Sequence, residues 1–172
     1  VAGAKKAGVG LSNTDIVNFD KTLATVGDDA HLDAQGAANG AKVSADSKQV
    51  LANIGVSGGV GTESTGVGGV LGVIVSMNEV AARVGDRSSV TSQGDTTLSA
   101  QNDSTQVMVT GGVGAGKEVG VGGSIAANVV GNVTEASVGN DAKLEAGKNV
   151  NVTADADETA VTAVVAGAGG GK

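Results

Sequence analysis

The residues from Val119 to Asp157 read VGVGGSIAANVVGNVTEASVGNDAKLEAGKNVNVTADAD, and they decide the fold because the chain contains this stretch three times. A second copy starts at Thr65 with TGVGGVLGVIVSMNEVAARVGDRSSV. A more divergent third copy starts at Ala7 with AGVGLSNTDIVNFDKTLATVGDDAHL. Repetition at a regular period is typical of proteins in which each unit buries its apolar face against its neighbours.

The spacing of the copies defines the repeat units. The Val-Gly pair that begins at Val26 recurs at Val84 and again at Val138, and the first interval is slightly longer than the second, with the extra residues near 36–40. The repeats are assigned to residues 7–64, 65–118 and 119–172. Because both ends fall inside repeat-like sequence and no signal peptide is visible, we expect residues 1–172 to be a fragment of a longer repeat array.

The composition predicts a thin core made of small side chains. Among 172 residues there are 30 glycines and only one aromatic residue, Phe19, and the chain lacks Pro, Trp, Tyr and Cys. Hydrophobic residues make up 40% of the chain, which is too many for a disordered polar segment. The glycines also lack the every-third-residue spacing of collagen. The core must therefore be filled by Val, Ala, Leu and Ile.

The charge and the cysteine count exclude several classes of function. The net charge is −7 and the pI is about 4.5, so an acidic surface without aromatic rings is unsuited to nucleic acid. Without cysteine, the chain forms no disulfides. The longest apolar run, Val67–Val75, is interrupted by glycine and is shorter than the ~20 residues of a membrane-spanning helix. We therefore expect neither nucleic-acid binding nor membrane insertion.

Alternation with period two indicates β-strands. Leu32, Val90 and Leu144 occupy one equivalent position and are expected to point inward, as are Val26, Val84 and Val138. The neighbouring position is polar in every copy and is expected to point outward. Asp20, Asn78 and Asn132 share another position, which we interpret as a turn. The Gly of each Val-Gly pair is followed by Asp28-Asp29, Asp86-Arg87 or Asn140-Asp141, and we interpret these Gly-Asx segments as turns too. This pattern predicts roughly five short strands per repeat and coils of about 20–27 residues, two to a repeat, in a stack about 30–40 Å long.

These features predict an all-β, single-stranded parallel β-helix (β-solenoid) built from about three sequence repeats. Short strands cannot stand alone, but stacked coils pair each strand with its equivalents above and below. The alternative is an antiparallel β-sandwich, in which strands also follow one another at intervals of 8–12 residues. Three copies that share their turn positions favour the solenoid, since a sandwich has no reason to repeat.

One segment is similar to a nucleotide-binding motif. Gly111–Lys117 matches the phosphate-binding loop G-x-x-x-x-G-K, but Glu118 stands where Ser or Thr would bind magnesium. A carboxylate there would repel a triphosphate. We therefore interpret the segment as a loop of a Gly-rich repeat.

No other motif predicts an active site or a metal centre. His31 is the only histidine, so sites that need paired histidines or a relay triad lack their parts. Asp28-Asp29, Asn140-Asp141 and Asp155–Asp157 could offer oxygen ligands to calcium, but Gly58–Gly61 lacks the Asp of the calcium-binding nonapeptide repeat. We expect no catalytic, cofactor-binding or metal-binding residue, no cofactor and no enzymatic activity.

The repeats resemble those of very large bacterial surface exoproteins. The resemblance rests on small-residue strands such as Thr159–Ala168, on the GVG segments and on ASVGNDAKL at residues 136–144. It points to filamentous-haemagglutinin-like adhesins and to the leukotoxin-like filamentous adhesins of anaerobic Gram-negative bacteria. The resemblance implies type V secretion across the outer membrane, a cell-surface or secreted location and a long β-helical stalk.

The expected function is therefore that of a structural and adhesive stalk segment of a virulence-type adhesin. Its expected partners are the neighbouring repeats and, through the parent molecule, the host cell surface or matrix. One alternative is an ice- or polysaccharide-binding solenoid that uses rows of threonine. Another is a passenger segment of a secreted leukotoxin.

Overall fold

A computed structural model describes residues 1–36 and 40–171, and in this part of the chain the regular structure consists of β-strands, without a helix. The strands are β1 Ala2–Ala4, β2 Ala7–Val26, β3 His31–Ala34, β4 Ala41–Gly61, β5 Thr65–Val84, β6 Ser89–Ser92, β7 Thr96–Gly116, β8 Val119–Val138, β9 Lys143–Ala146 and β10 Val150–Gly170. The extra residues of the first repeat lie between β3 and β4 and include positions 37–39, which are outside the described residues.

All pairing among the described strands is parallel and joins equivalent strands of successive repeats. Strands β2, β5 and β8 form what we call the front sheet, and β4, β7 and β10, with β1 along β4, form the back sheet. The short strands β3, β6 and β9 form a third sheet at one end. This arrangement confirms the parallel β-helix and contradicts the antiparallel sandwich, because each strand pairs with its equivalents in the coils above and below.

The coils are larger than the sequence pattern predicted. One repeat forms one coil of three strands, two of which span 20 or 21 residues. The predictions of five short strands and of coils of about 20–27 residues are wrong. Three coils at the usual strand spacing rise only about 10–15 Å along the stack, not 30–40 Å, whereas each long strand extends about 65 Å. The molecule is therefore a flat, wide stack.

The coil size was predicted wrongly because the position shared by Asp20, Asn78 and Asn132 was interpreted as a turn. These residues lie inside the long strands and pair with one another in register. Asn78 is only 3% exposed, and its side-chain amide donates a hydrogen bond of 3.0 Å to Oε1 of Gln49 on the back sheet. Asn78 thus donates a hydrogen bond inside the coil rather than forming a turn.

The apolar core lies at the end of the coil that is closed by the third sheet. Its buried members are Ala41, Ala45, Val80, Ala82, Val84, Val90, Leu98 and Ala100. The predicted columns are confirmed, since Val26, Val84 and Val138 pair in register, as do Leu32, Val90 and Leu144. Within these two columns burial is complete only in the middle coil, where Val84 is 2% exposed, because the outer coils have a neighbour on one side only.

The middle of the coil is lined by polar side chains. Oε1 of Gln49 accepts hydrogen bonds from Ser76 and Asn78, and Nδ2 of Asn53 donates to the carbonyl oxygens of Thr14 and Val73. The Asn53 bonds join the back sheet to the front strands of two coils. Polar side chains thus join the two sheets where the apolar core ends.

At the other end of the coil, glycines allow the two sheets to approach each other closely. A Cβ added at Gly114 would lie 1.9 Å from the carbonyl oxygen of Val121, and one added at Gly66 would lie 1.9 Å from that of Ala115. No side chain fits at such distances. The GVG segments are therefore strands whose inward positions must be glycine, with valine outside.

Candidate functional surfaces

The turns after the front strands carry a ladder of side-chain hydrogen bonds between coils. Oδ1 of Asp28 accepts from the backbone N–H of Asp86, at 2.9 Å, and Oδ1 of Asp86 accepts from that of Asn140, at 2.7 Å. The next residue of each turn, Asp29, Arg87 or Asp141, has a φ near +55°, in the left-handed region. The Gly-Asx turns predicted from sequence are confirmed, and their Asx side chains stack the coils.

Ion pairs add a second set of contacts between coils. Arg87 binds Asp29 of the first coil through two hydrogen bonds of 2.7 Å. On the front face, Lys21 pairs with Glu79 at 2.8 Å, and Arg83 pairs with Glu135 at 2.7 Å. Each pair joins successive coils at a specific position and so helps to fix the register.

These ion pairs shift the pKa values of four side chains, Glu79, Arg83, Arg87 and Glu135. The hydrogen bond from Lys21 holds the pKa of the Glu79 carboxyl below its usual value of 4.5. Hydrogen bonds from Ser137 and then from Arg83 lower the pKa of Glu135. The pKa of Arg83 is raised by Glu135 and that of Arg87 by Asp29. Because all four groups lie at the surface, each pair stabilises the fold only modestly.

The carboxylates that could have offered calcium ligands lie at two places, in the turns after the front strands and on the back sheet. Asp28 and Asp29 are used in the turn ladder and the Arg87 pair. Asp155 and Asp157 lie with Asp103 on the outer face of the back sheet, around a polar hollow of about 350 Å³. Among the described residues, no group of three or more His, Asp or Glu side chains is arranged to hold a metal ion.

The segment similar to a phosphate-binding loop is not a loop. Gly111–Gly116 forms the end of strand β7, and our interpretation of it as a loop is wrong. Gly112 and Gly114 point inward, where an added Cβ would lie 2.0 and 1.9 Å from carbonyl oxygens of the front sheet. A phosphate-binding loop needs free N–H groups around an anion. These glycines instead serve the close packing of two sheets.

His31 has no special environment. It lies exposed at the start of β3, and its register partners are Ser89 and, one coil further, Lys143. The side chain stands in the outward column that the sequence pattern indicated.

The outer face of the front sheet is largely apolar. Its large exposed side chains include Leu11, Val17, Phe19, Leu71, Met77 and Ile125. Two hollows open on this face, one of about 520 Å³ beside Phe19, Met77 and Gly131, and one of about 370 Å³ beside Leu11, Gly69 and Gly123. Sequence reasoning missed this surface, although a signal was present. A run such as Val73–Val75 is apolar at successive positions, which is typical of a parallel strand covered on both faces.

Comparison of the chain with protein-family models, with curated proteins and with solved structures returned no match. In the described part of the chain, no helix has the length and apolar character needed to cross a membrane. The function is therefore inferred from the architecture, the surfaces and the sequence resemblance described above.

Proposed function

We propose that this chain is a structural and adhesive stalk segment of a large secreted bacterial surface adhesin, displayed outside the outer membrane of a Gram-negative bacterium. The observation that carries the proposal is the stacking of whole repeats in register, over 20 consecutive residue pairs between β5 and β8. Such stacking can continue for as many repeats as a chain provides. It is the architecture that a long stalk requires.

The surfaces support a scaffold rather than a receptor-binding tip. Tight recognition usually relies on Trp, Tyr and Arg in a central patch. This chain has no Trp or Tyr, and its two arginines are engaged in ion pairs between coils. Repeated shallow surfaces can still contribute to attachment through avidity when many copies act together. The neighbouring repeats are the immediate partners, and the parent molecule contacts host cells or matrix.

The ice- or polysaccharide-binding alternative receives less support. An ice-binding face needs threonine at one outward position in every coil. Thr105 and Thr159 stack in one outward column, but Val50 fills the same column in the first coil. The residue type within this column therefore changes from coil to coil, whereas a periodic ligand such as ice requires the same side chain in every coil.

Two measurements test the proposal. The purified chain should bind host cells, matrix proteins and glycans no more tightly than about millimolar. Antibodies against it should label intact cells of the source bacterium. Saturable binding at micromolar concentration would identify the repeat itself as a receptor-binding domain. Labelling only after the cells are permeabilised would contradict the surface location.

A further inference from the structure

The front face of the stack has the character of an interface. Leu11 is 75% exposed and Phe19, the only aromatic residue of the chain, is 67% exposed. Exposed apolar patches larger than a few hundred Å² mark interaction sites in soluble proteins. An apolar run such as Val73–Val75 indicates that the outer face of the strand is covered. In a single copy of the chain this face is exposed to solvent.

The size of the outward side chains on this face differs between the first coil and the third coil. In the column of Leu11 the third coil carries Gly123, and in the column of Phe19 it carries Gly131. Leu11 and Phe19 of the first coil are thus each matched by a glycine of the third coil at the same position along the strands. The two hollows of about 520 and 370 Å³ lie in these same columns.

We propose that two copies of this chain associate face to face through their front sheets, about a two-fold axis that runs along the strands. Such an axis places the first coil of one copy opposite the third coil of the other at the same position along the strands. Phe19 then enters the hollow over Gly131 of the second copy, and Leu11 enters the hollow over its Gly123. Each contact occurs twice in the dimer.

The other way to pair the faces fits poorly. An axis along the stack would place first coil opposite first coil with the strands reversed. When it passes midway between the two columns, Phe19 meets Leu11 of the other copy, and Gly123 meets Gly131. Bulky side chains would then collide at one edge while the hollows faced each other at the opposite edge.

The area is sufficient for a stable pair. Residues 9–23 of β2 extend about 50 Å, and three strands are about 14 Å across, so each copy offers about 700 Å². The dimer would bury about 1,400 Å² in total, within the range of specific protein interfaces. Lys21 and Glu79, at one side of the larger hollow, pair with each other, so the contact leaves neither charge alone.

Charge disfavours two alternative ways in which the chain could associate. Stacking one copy on top of another would bring Asp141 next to Asp29, and Glu145 next to Asp33, because these residues share columns. A lipid surface would not require matched ridges and hollows, and a net charge of −7 disfavours anionic lipid. A second copy seated on the front face is the occupant that fits the two hollows.

Sedimentation equilibrium of the full chain tests the proposal, and we expect dimerisation at micromolar concentration. Phe19→Gly and Gly131→Phe should each raise the dimer dissociation constant at least tenfold. The double variant Phe19→Gly/Gly131→Phe moves the ridge to the third coil and the gap to the first, so it should restore the dimer. Gly123→Leu should also weaken the dimer, because the new side chain fills the hollow that receives Leu11. The single copy should tolerate this change, since an added Cβ at Gly123 meets nothing within 4 Å.

Ile54→Glu is the matched control. Ile54 is 68% exposed on the outer face of the back sheet, so the change should leave the dissociation constant unaltered. The circular dichroism spectrum of every variant should match that of the parent. A chain that stays monomeric up to ~100 µM would overturn the proposal. So would a dimer unaffected by Phe19→Gly and Gly123→Leu, or a monomer that binds neutral lipid vesicles.

Discussion

Gly111 and Gly112 are neighbours in β7, yet they face opposite environments. An added Cβ at Gly112 would lie 2.0 Å from the carbonyl oxygen of Gly123, in the front sheet, whereas one at Gly111 would meet nothing within 4 Å. Backbone atoms of a strand cannot move aside as the end of a flexible side chain can. The narrow end of the coil therefore depends on single glycines at inward positions.

We expect Gly112→Ala to destabilise the protein by about 3 kcal/mol or more, because the sheets must separate to admit the methyl group. Gly111→Ala, one residue away, should change the free energy of unfolding by less than ~0.5 kcal/mol or stabilise slightly through the unfolded state. Urea unfolding of both variants measures the difference. Equal stabilities would show that the two sheets do not approach each other at this end.

The carboxylates of the front face should make stability depend on pH. Because the pKa values of Glu79 and Glu135 are lowered in the folded state, their contribution is fully present above the usual value of 4.5. It is lost as the pH falls through the lowered folded values. We expect Glu79→Gln/Glu135→Gln to melt below the parent at pH 6, and the gap to close as the pH falls towards ~3.

Thermal melts of the parent and the double variant at several pH values measure this gap. Glu63→Gln, in the exposed turn after β4, is the control and should differ little from the parent throughout. A gap of constant size from neutral to acid pH would contradict the assignment of the two ion pairs.

At the level of the elements, the sequence located the turns that end the front strands but not the length of the strands. Gly27, Gly85 and Gly139 end the front strands as the Gly-Asx pattern indicated. The column of Asp20, Asn78 and Asn132 did not mark a turn. A lone Asx is typical of turns, and only the opposite sheet, with Gln49 beside Asn78, shows that it is accommodated inside a strand.

The register between long strands can be tested by cross-linking, since the chain has no native cysteine. Thr105 and Thr159 are register partners on the outer face of the back sheet. Their Cα atoms should lie about 5 Å apart, within the range that a disulfide spans. We expect Thr105→Cys/Thr159→Cys to form a disulfide under mild oxidation.

The control pair is Thr105→Cys/Val161→Cys, which shifts one partner by two residues along the same face. The Cα atoms then lie about 8 Å apart, too far for an unstrained disulfide. If the control pair forms the bond faster than the register pair, the alignment of β7 with β10 is wrong.

At the scale of the whole molecule, the parallel solenoid could be predicted and the size of its coil could not. Repetition and period-two alternation established the class of fold and the columns at Val84 and Val90. They did not show how far each strand runs before the chain turns, because a polar residue inside a flat coil looks like a loop residue. The apolar front face was missed for a related reason, since alternation was assumed to place polar residues outside.

One repeat forms one wide coil whose two long strands span 20 and 21 residues, and the flat shape of the stack depends on this length. Gln101 and Val113 both point outward on β7 and are separated by more than half the length of that strand. Fully extended chain places them about 40 Å apart. A smaller coil, of the size that the sequence pattern predicted, would fold the same segment halfway around and bring them much closer.

Double electron–electron resonance between spin labels on Gln101→Cys/Val113→Cys measures this distance directly, at dilute protein so that only pairs within one chain contribute. We expect a narrow distribution centred at about 40 Å. A distribution centred below ~25 Å would contradict the wide coil and would restore the smaller coils that the sequence pattern had indicated.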